Sequence, residues 1–237
     1  MGTILNGYKR KGQAKGMKKR SAWGRFASLL VIVVICNMTT ACGIIVRDIM
    51  DNSHESLAGT RKDAAYSGPA FQKIIVIGLT NNSSTRISLE NAFMDQLVGH
   101  GVNTVIGSID LPGIDSLRDR SLVEKVLQNG NFDGAITVEV KDVADNDTLQ
   151  WQKAWVATRI PGPDNLFEML SKAYKPAPVP PGKMRYEISL WDVKTARQVW
   201  VGMTSAGDRY DMLPGAYPAA HSTVETLMKA KLLRSTL

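Results

Sequence analysis

The chain has 237 residues, a formal charge of +7 and 44% apolar residues, which suits one or two folded domains and not a disordered chain. Residues 1–42 hold eight of the 29 Lys and Arg and no Asp or Glu, leaving 21 basic against 22 acidic side chains in the remainder. That near-neutral remainder excludes a basic surface for nucleic acid. With Cys36 and Cys42 as the only cysteines, whatever follows Cys42 has neither an internal disulfide nor a zinc site of the usual cysteine-bearing kind.

The first element is a targeting segment. Met17-Lys18-Lys19-Arg20-Ser21-Ala22-Trp23-Gly24-Arg25 is a positive stretch, and Phe26 to Cys36 is an apolar core. As a helix, that core would rise about 16 Å, roughly half the hydrocarbon thickness of a bilayer, so a spanning helix is the weaker reading. Asn37-Met38-Thr39-Thr40-Ala41 then brings small residues up to Cys42. This order is that of a secretory signal, and residues 1–41 are expected to be removed between Ala41 and Cys42. Met17, directly followed by three basic residues, is a second candidate start.

Thr39-Thr40-Ala41-Cys42 resembles the lipobox of bacterial lipoproteins, with Thr39 where that family usually has Leu. The resemblance implies a diacylglyceryl thioether on Cys42 and an acylated amino terminus, so membrane lipid is the first expected partner. Several acyl chains anchor stably where one does not. The family also implies the outer membrane, on its periplasmic face, in preference to the inner membrane, because Gly43 and not Asp follows the cysteine.

Residues 42–70 are expected to be a lipidated terminus and a flexible tether, since charges, Ser, Gly and Asn mix there without a period. As a coil it would span roughly 30 Å. A single domain is expected over 71–237. Ile74-Ile75-Val76-Ile77 reads as a central strand covered on both faces. After a polar loop at 80–85, whose Ser83, Ser84 and Thr85 are candidate caps, Arg86 to Val98 reads as a helix. Its Leu89, Phe93 and Leu97 recur at four, with Met94 and Val98 adjoining. Gly99-His100-Gly101 ends it.

Val102 to Ile109 reads as a second strand, Ser116 to Gln128 as a second helix, Ala135 to Val140 as a third strand and Leu149 to Thr158 as a fourth. Residues 160–182 hold six of the ten prolines. That stretch is expected to be an exposed insertion of partly polyproline character, with a short helix at Asn165 to Ala173. Arg185 to Trp191 and Gln198 to Thr204 form the clearest hairpin, and Pro218 to Leu233 reads as a closing helix. The order is βαβα, then antiparallel strands, then a C-terminal helix: an α+β fold with helices packed on a mixed sheet.

The motifs do not add up to catalysis. The junction Gly78 to Arg86 lacks the glycine-rich loop and lysine of a phosphate-binding loop. Asp142, Asp145, Asn146 and Asp147 lack the central glycine and terminal Glu of a calcium loop, and read as a solvated tip. Asp115, Arg118, Asp119 and Arg120 read as a charged helix start. His54, His100 and His221 are scattered, and no Gly-x-Ser-x-Gly elbow occurs. No metal or other cofactor is expected. Trp151, Trp155, Trp191 and Trp200 fall in strands, where aromatics mostly form core or cross-strand pairs. If one parity faced solvent, Trp191 and Trp200 would join Pro178 and Pro180 as candidate partner-binding residues.

Lys73-Ile74-Ile75-Val76-Ile77, the helix ending at Gly99, and Leu190-Trp191-Asp192 followed by Val199-Trp200 resemble the periplasmic domain of the penicillin-binding-protein activator lipoproteins and of the curli secretion lipoprotein. The first family implies binding to a peptidoglycan synthase. The second implies a secretion pore, for which a second pair of long amphipathic strands is missing. The expectation is a non-enzymatic envelope lipoprotein that contacts another envelope protein as adaptor or activator. The alternatives are a structural lipoprotein without a dedicated partner and a hydrolase with an unrecognised active site.

Overall fold

A computed structural model describes residues 57–143, 165–172, 183–204, 207–208 and 212–236. The chain divides into two compact units, Met1–Ile49 and Met50–Leu237, and every described residue lies in the second. In chain order the elements are β1 (Leu57–Lys62), β2 (Lys73–Leu79), α1 (Ser83–Gly99), β3 (Asn103–Ile106), α2 (Gly107–Asp110), α3 (Gly113–Arg118) and α4 (Arg120–Asn129). Then come β4 (Gly134–Val143), α5 (Leu166–Lys172), β5 (Lys183–Asp192), β6 (Arg197–Thr204), β7 (Gly207–Asp208) and α6 (Met212–Lys229).

The α+β fold expected from the pattern is the one observed. A mixed sheet runs in the order β1-β6-β5-β4-β2-β3, with β7 paired to β5 off that path. β2 is parallel to both β3 and β4, and the other pairings are antiparallel. β2 explains its own apolar run. Ile74 and Val76 join one core with Leu89, Phe93 and Leu97 of α1 and Val224 and Leu227 of α6. Ile75 and Ile77 join a second core with Leu117, Val123, Leu127, Leu166 and Trp191. A strand apolar at every position is thus buried on both faces, with α1 and α6 on one and α3 to α5 on the other.

Several expectations are corrected. Leu57–Lys62, placed in the tether, pairs antiparallel with β6; as an edge strand it is held by backbone hydrogen bonds and needs no alternating pattern. The predicted helix at 116–128 is two helices. Asp119 is extended (φ −79°, ψ 94°) and its side chain accepts from Leu122 N at 3.1 Å, capping α4; an Asp side chain offers the backbone this alternative to continued helix. The second strand stops at Ile106, and Gly107–Asp110 turns into helix. Asn82, not Ser83 or Ser84, caps α1, accepting from Thr85 N at 3.0 Å. α6 starts at Met212 and carries Pro218 inside it. The strand expected at 149–158, and Asp145 to Asp147, lie outside the described residues.

The hairpin β5–β6 turns on Asp192, whose Oδ1 accepts from Lys194 N at 2.9 Å and Thr195 N at 3.2 Å. Ala196 follows at φ 54°, and its carbonyl accepts from Leu166 N at 2.8 Å, which holds α5 to the hairpin. Trp191 is fully buried and donates Nε1–H to Thr137 Oγ1 at 2.9 Å. Deleting this side chain opens a cavity and leaves a buried hydroxyl without its donor. Trp191→Ala is therefore expected to destabilise the domain by about 3–5 kcal/mol, seen as a lower urea midpoint at unchanged slope. A loss under about 1 kcal/mol would contradict this packing.

Candidate functional site

Trp191 and Trp200 do not form a surface patch, which corrects the reading that offered them to a partner. They are 0% and 2% exposed, and they belong to opposite cores, Trp191 under α3 to α5 and Trp200 under α1 and α6. Trp200 lies opposite Leu190 and shares its face, whereas Trp191, the next residue along β5, points to the other. Cys42, Ala41, Pro178 and Pro180 lie outside the described residues.

The candidate site is built around a charge pair that the sequence does not advertise as buried. Arg86 and Glu90, one helical turn apart on α1, are both buried. Arg86 Nε donates to Glu90 Oε1 at 2.8 Å, and the same oxygen accepts from Gly78 N, in β2, at 3.0 Å. Glu90 Oε2 accepts from Ser108 N at 2.8 Å, and Arg86 Nη1 donates to Gly113 O at 3.0 Å. Four segments (β2, α1, α2 and the start of α3) therefore meet on one ion pair. Gly107 makes room for this: a Cβ there would stand 3.0 Å from Val76 O and 3.1 Å from Ile77 Cγ1. Arg86 Nη2 is buried without a hydrogen-bond partner among the described residues.

The pair fixes what stands beside it. β3 has β2 on one side and is the last strand of the described sheet on the other. Ile109, one residue past the Ser108 amide held by Glu90, is 67% exposed; Ile87 and Val98 of α1 are 43% and 53% exposed. At 100° per residue, Ile87, Met94 and Val98 share one side of α1. Asp95 and Gln96 face α6, bonded to Tyr217 Oη at 3.1 Å and His221 Nδ1 at 3.1 Å. Glu90 faces α2, and the stripe of Ile87, Met94 and Val98 lies beyond Glu90, on the side away from α6. Among the described residues no strand pairs with the outer edge of β3, and exposed apolar side chains stand on the neighbouring α1 and α2. Isolated exposed apolar residues are ordinary, whereas grouped ones beside unpaired backbone are a docking template.

A second polar cluster lies at the far end of β4 and β5. Glu139 stands opposite Glu187 and Lys141 opposite Arg185. Lys141 Nζ reaches Glu139 Oε2 at 3.0 Å and Glu187 Oε2 at 3.7 Å. Burial alone would lower the Lys141 ammonium, but Glu187 and Glu139 more than offset this and hold it above its ordinary value. Burial outweighs Lys141 at Glu187 and keeps that carboxyl above the usual range. The cluster is a ladder of like charges neutralised diagonally. Among the described residues, no group of three His, Cys, Asp or Glu could hold a metal ion, and no helix is long and apolar enough to cross a membrane. Asp115 pairs with Arg118 at 3.1 Å and Arg120 with Glu124 at 2.7 Å; the expected single charged helix start is instead divided, with Asp115 in the first turn and Arg118 in the last turn of α3, and Asp119 and Arg120 at the start of α4.

No family model and no curated protein matches the chain. Among solved structures it is similar to the PelC dodecamer from Paraburkholderia phytofirmans, at 14% identity and a TM-score of 0.39, over 75% of this chain and 98% of that one. It is similar also to a point variant of the same dodecamer, at 15% identity and 0.39, over 71% and 98%. At that identity and score, the likeness says nothing of the site.

The sequence carried a faint signal of this edge. Arg86 and Glu90 stand at i and i+4, a spacing that normally marks an exposed helix pair, and Ile109 read as the end of a strand. Because the pair is buried, breaking it costs far more than a surface pair would. Glu90→Gln is expected to cost about 3–5 kcal/mol in chemical denaturation, by leaving the Arg86 charge uncompensated. The joint replacement Arg86→Met with Glu90→Leu is expected to cost less than Glu90→Gln alone. A cost for Glu90→Gln below about 1 kcal/mol would place the pair among ordinary surface pairs.

Proposed function

We propose that this protein is a bacterial envelope lipoprotein, held on a membrane by lipid on Cys42, whose domain docks another envelope protein along β3. The outer membrane is the favoured location, since Gly43 follows the cysteine. The function is binding and not catalysis. Its anchor rests on the order of positive stretch, short apolar core and small residues before Cys42. Its binding role rests on one observation: Ile87, Val98 and Ile109, the large apolar side chains that are exposed among the described residues, lie around the outermost parallel strand. The partner that fits is an extended segment that pairs with the β3 backbone and lays apolar side chains against Ile109 and Val98. The buried Arg86–Glu90 pair holds that edge in shape before the partner arrives, which lowers the ordering cost of binding.

The test uses the full-length protein in cells, with a photo-crosslinking residue at position 98 or 109 and a control at Glu124, on the helix layer of the other face. One envelope protein captured from 98 and 109 but not from 124, and lost on Ile109→Asp, is the expected result. Equal capture at all three positions, or none at any, would refute the docking edge. In the same cells, Cys42→Ala is expected to move the protein out of the membrane fraction. An unchanged fractionation would overturn the lipid anchor and leave the edge result to stand by itself.

A further inference from the structure

The end of α1 carries a second polar device, independent of the β3 edge. His100 closes the helix, with its own N–H on the carbonyls of Gln96 and Leu97 at 3.2 and 3.1 Å. Its ring spans two elements. Nδ1 lies 2.8 Å from Gln96 O and Nε2 lies 3.0 Å from Glu225 Oε1 on α6. Both oxygens are acceptors and neither carries a proton while Glu225 is ionised. A neutral imidazole has one N–H and can satisfy one of them; the imidazolium has two and satisfies both. The cation also stands at the C-terminus of α1, where the helix dipole favours positive charge.

The surroundings support the same state. On α6, Lys229 Nζ lies 3.7 Å from Glu225 Oε2, and His221 bonds Gln96 Oε1. On α1, Asp95 is engaged by Tyr217. The C-terminal tail, which bears Arg234, brings the N–H and hydroxyl of Thr236 to Gly101 O, both at 2.8 Å. Glu225 is thus the carboxylate bonded to the ring.

We infer that His100 and Glu225 form a proton-operated clasp between the C-terminal end of α1 and α6, closed while the ring is doubly protonated and the carboxylate is ionised. The ring is held above its ordinary value of 6.5 by the Gln96 carbonyl, with partial burial opposing and Glu225 adding to the rise. Glu225 is held below its ordinary 4.5 chiefly by its hydrogen bond from His100, against burial. The signs set a window. A raised His contributes fully below 6.5, and its contribution is lost as pH rises through the folded value; a lowered Glu contributes above 4.5, and its contribution is lost as pH falls through the folded value. The clasp is therefore strongest between those two values and opens on either side.

The test is a pH titration of histidine ring resonances in the full-length protein, with the His100 resonance assigned as the one lost in His100→Gln. His100 is expected to titrate above 6.5, and Glu225→Gln to move its midpoint down by about half a pH unit or more. Amide exchange, corrected for its intrinsic pH dependence, is expected to be several-fold slower over Leu97 to Gly101 at pH 5.5 than at pH 8.5. Glu225→Gln and His100→Gln should each abolish that difference. Both side chains are partly exposed, at 28% and 38%, so these variants keep the core intact. A His100 midpoint that Glu225→Gln leaves in place, or an exchange ratio that survives both substitutions, would overturn the clasp.

Discussion

Glu90 brings a full negative charge into an interior where, alone, it would cost several kcal/mol. Three donors meet it, the guanidinium of Arg86 and the amides of Gly78 and Ser108, and Arg86 in turn donates to the Gly113 carbonyl. The carboxyl ends of β2 and β3, and the entry to the helical layer on the opposite face, are therefore defined by one ion pair. A hydrophobic contact at this point would be less particular, since it would hold equally well if α2 slid by a residue. Hydrogen bonds to named amides do not allow that. The position of Ile109 follows from the Ser108 amide, so the geometry of the exposed edge descends from a group that no solvent reaches.

The sheet was largely legible in the sequence where one physical signal dominated. The unbroken apolar run of β2 announced burial on both sides, and the alternation of Tyr186, Ile188 and Leu190 announced the face of β5 that joins the first core, though not that Ser189 and Trp191 are buried on the other. Leu89, Phe93 and Leu97 gave α1 its buried side. The sequence was mute where backbone pairing or a single polar side chain made the decision. β1 has no pattern because an edge strand needs none. Asp119 splits a helix whose apolar spacing continues straight through it. Ser108 becomes helical because a carboxylate eighteen residues earlier captures its amide.

The candidate site was less legible than the fold. Tryptophans drew attention as contact residues because their chemistry suits interfaces, yet Trp191 and Trp200 spend that chemistry inside. A solvent-facing parity needs an open sheet face, and helices cover both faces here, so residues of either parity in β5 and β6 are buried. Conversely, Val98 looked like part of the buried face of α1. It sits one residue past Leu97, and a step of 100° is enough to bring it from the core to solvent.

The pairing of β1 has a consequence for the order in which the protein takes shape. Leu57 lies opposite Thr204 and Lys62 opposite Trp200, so the first of the described strands to leave the ribosome finds its partner among the last. Contacts of such sequence separation carry a large loop-closure cost and form late. Until then the outer edge of β6 is unprotected, and the chain between Lys62 and Arg197 must fold without it. A strand made early that seals a sheet completed late behaves like a latch on a finished box: translation order and assembly order run in opposite directions, and the nascent chain depends on staying unaggregated through that interval.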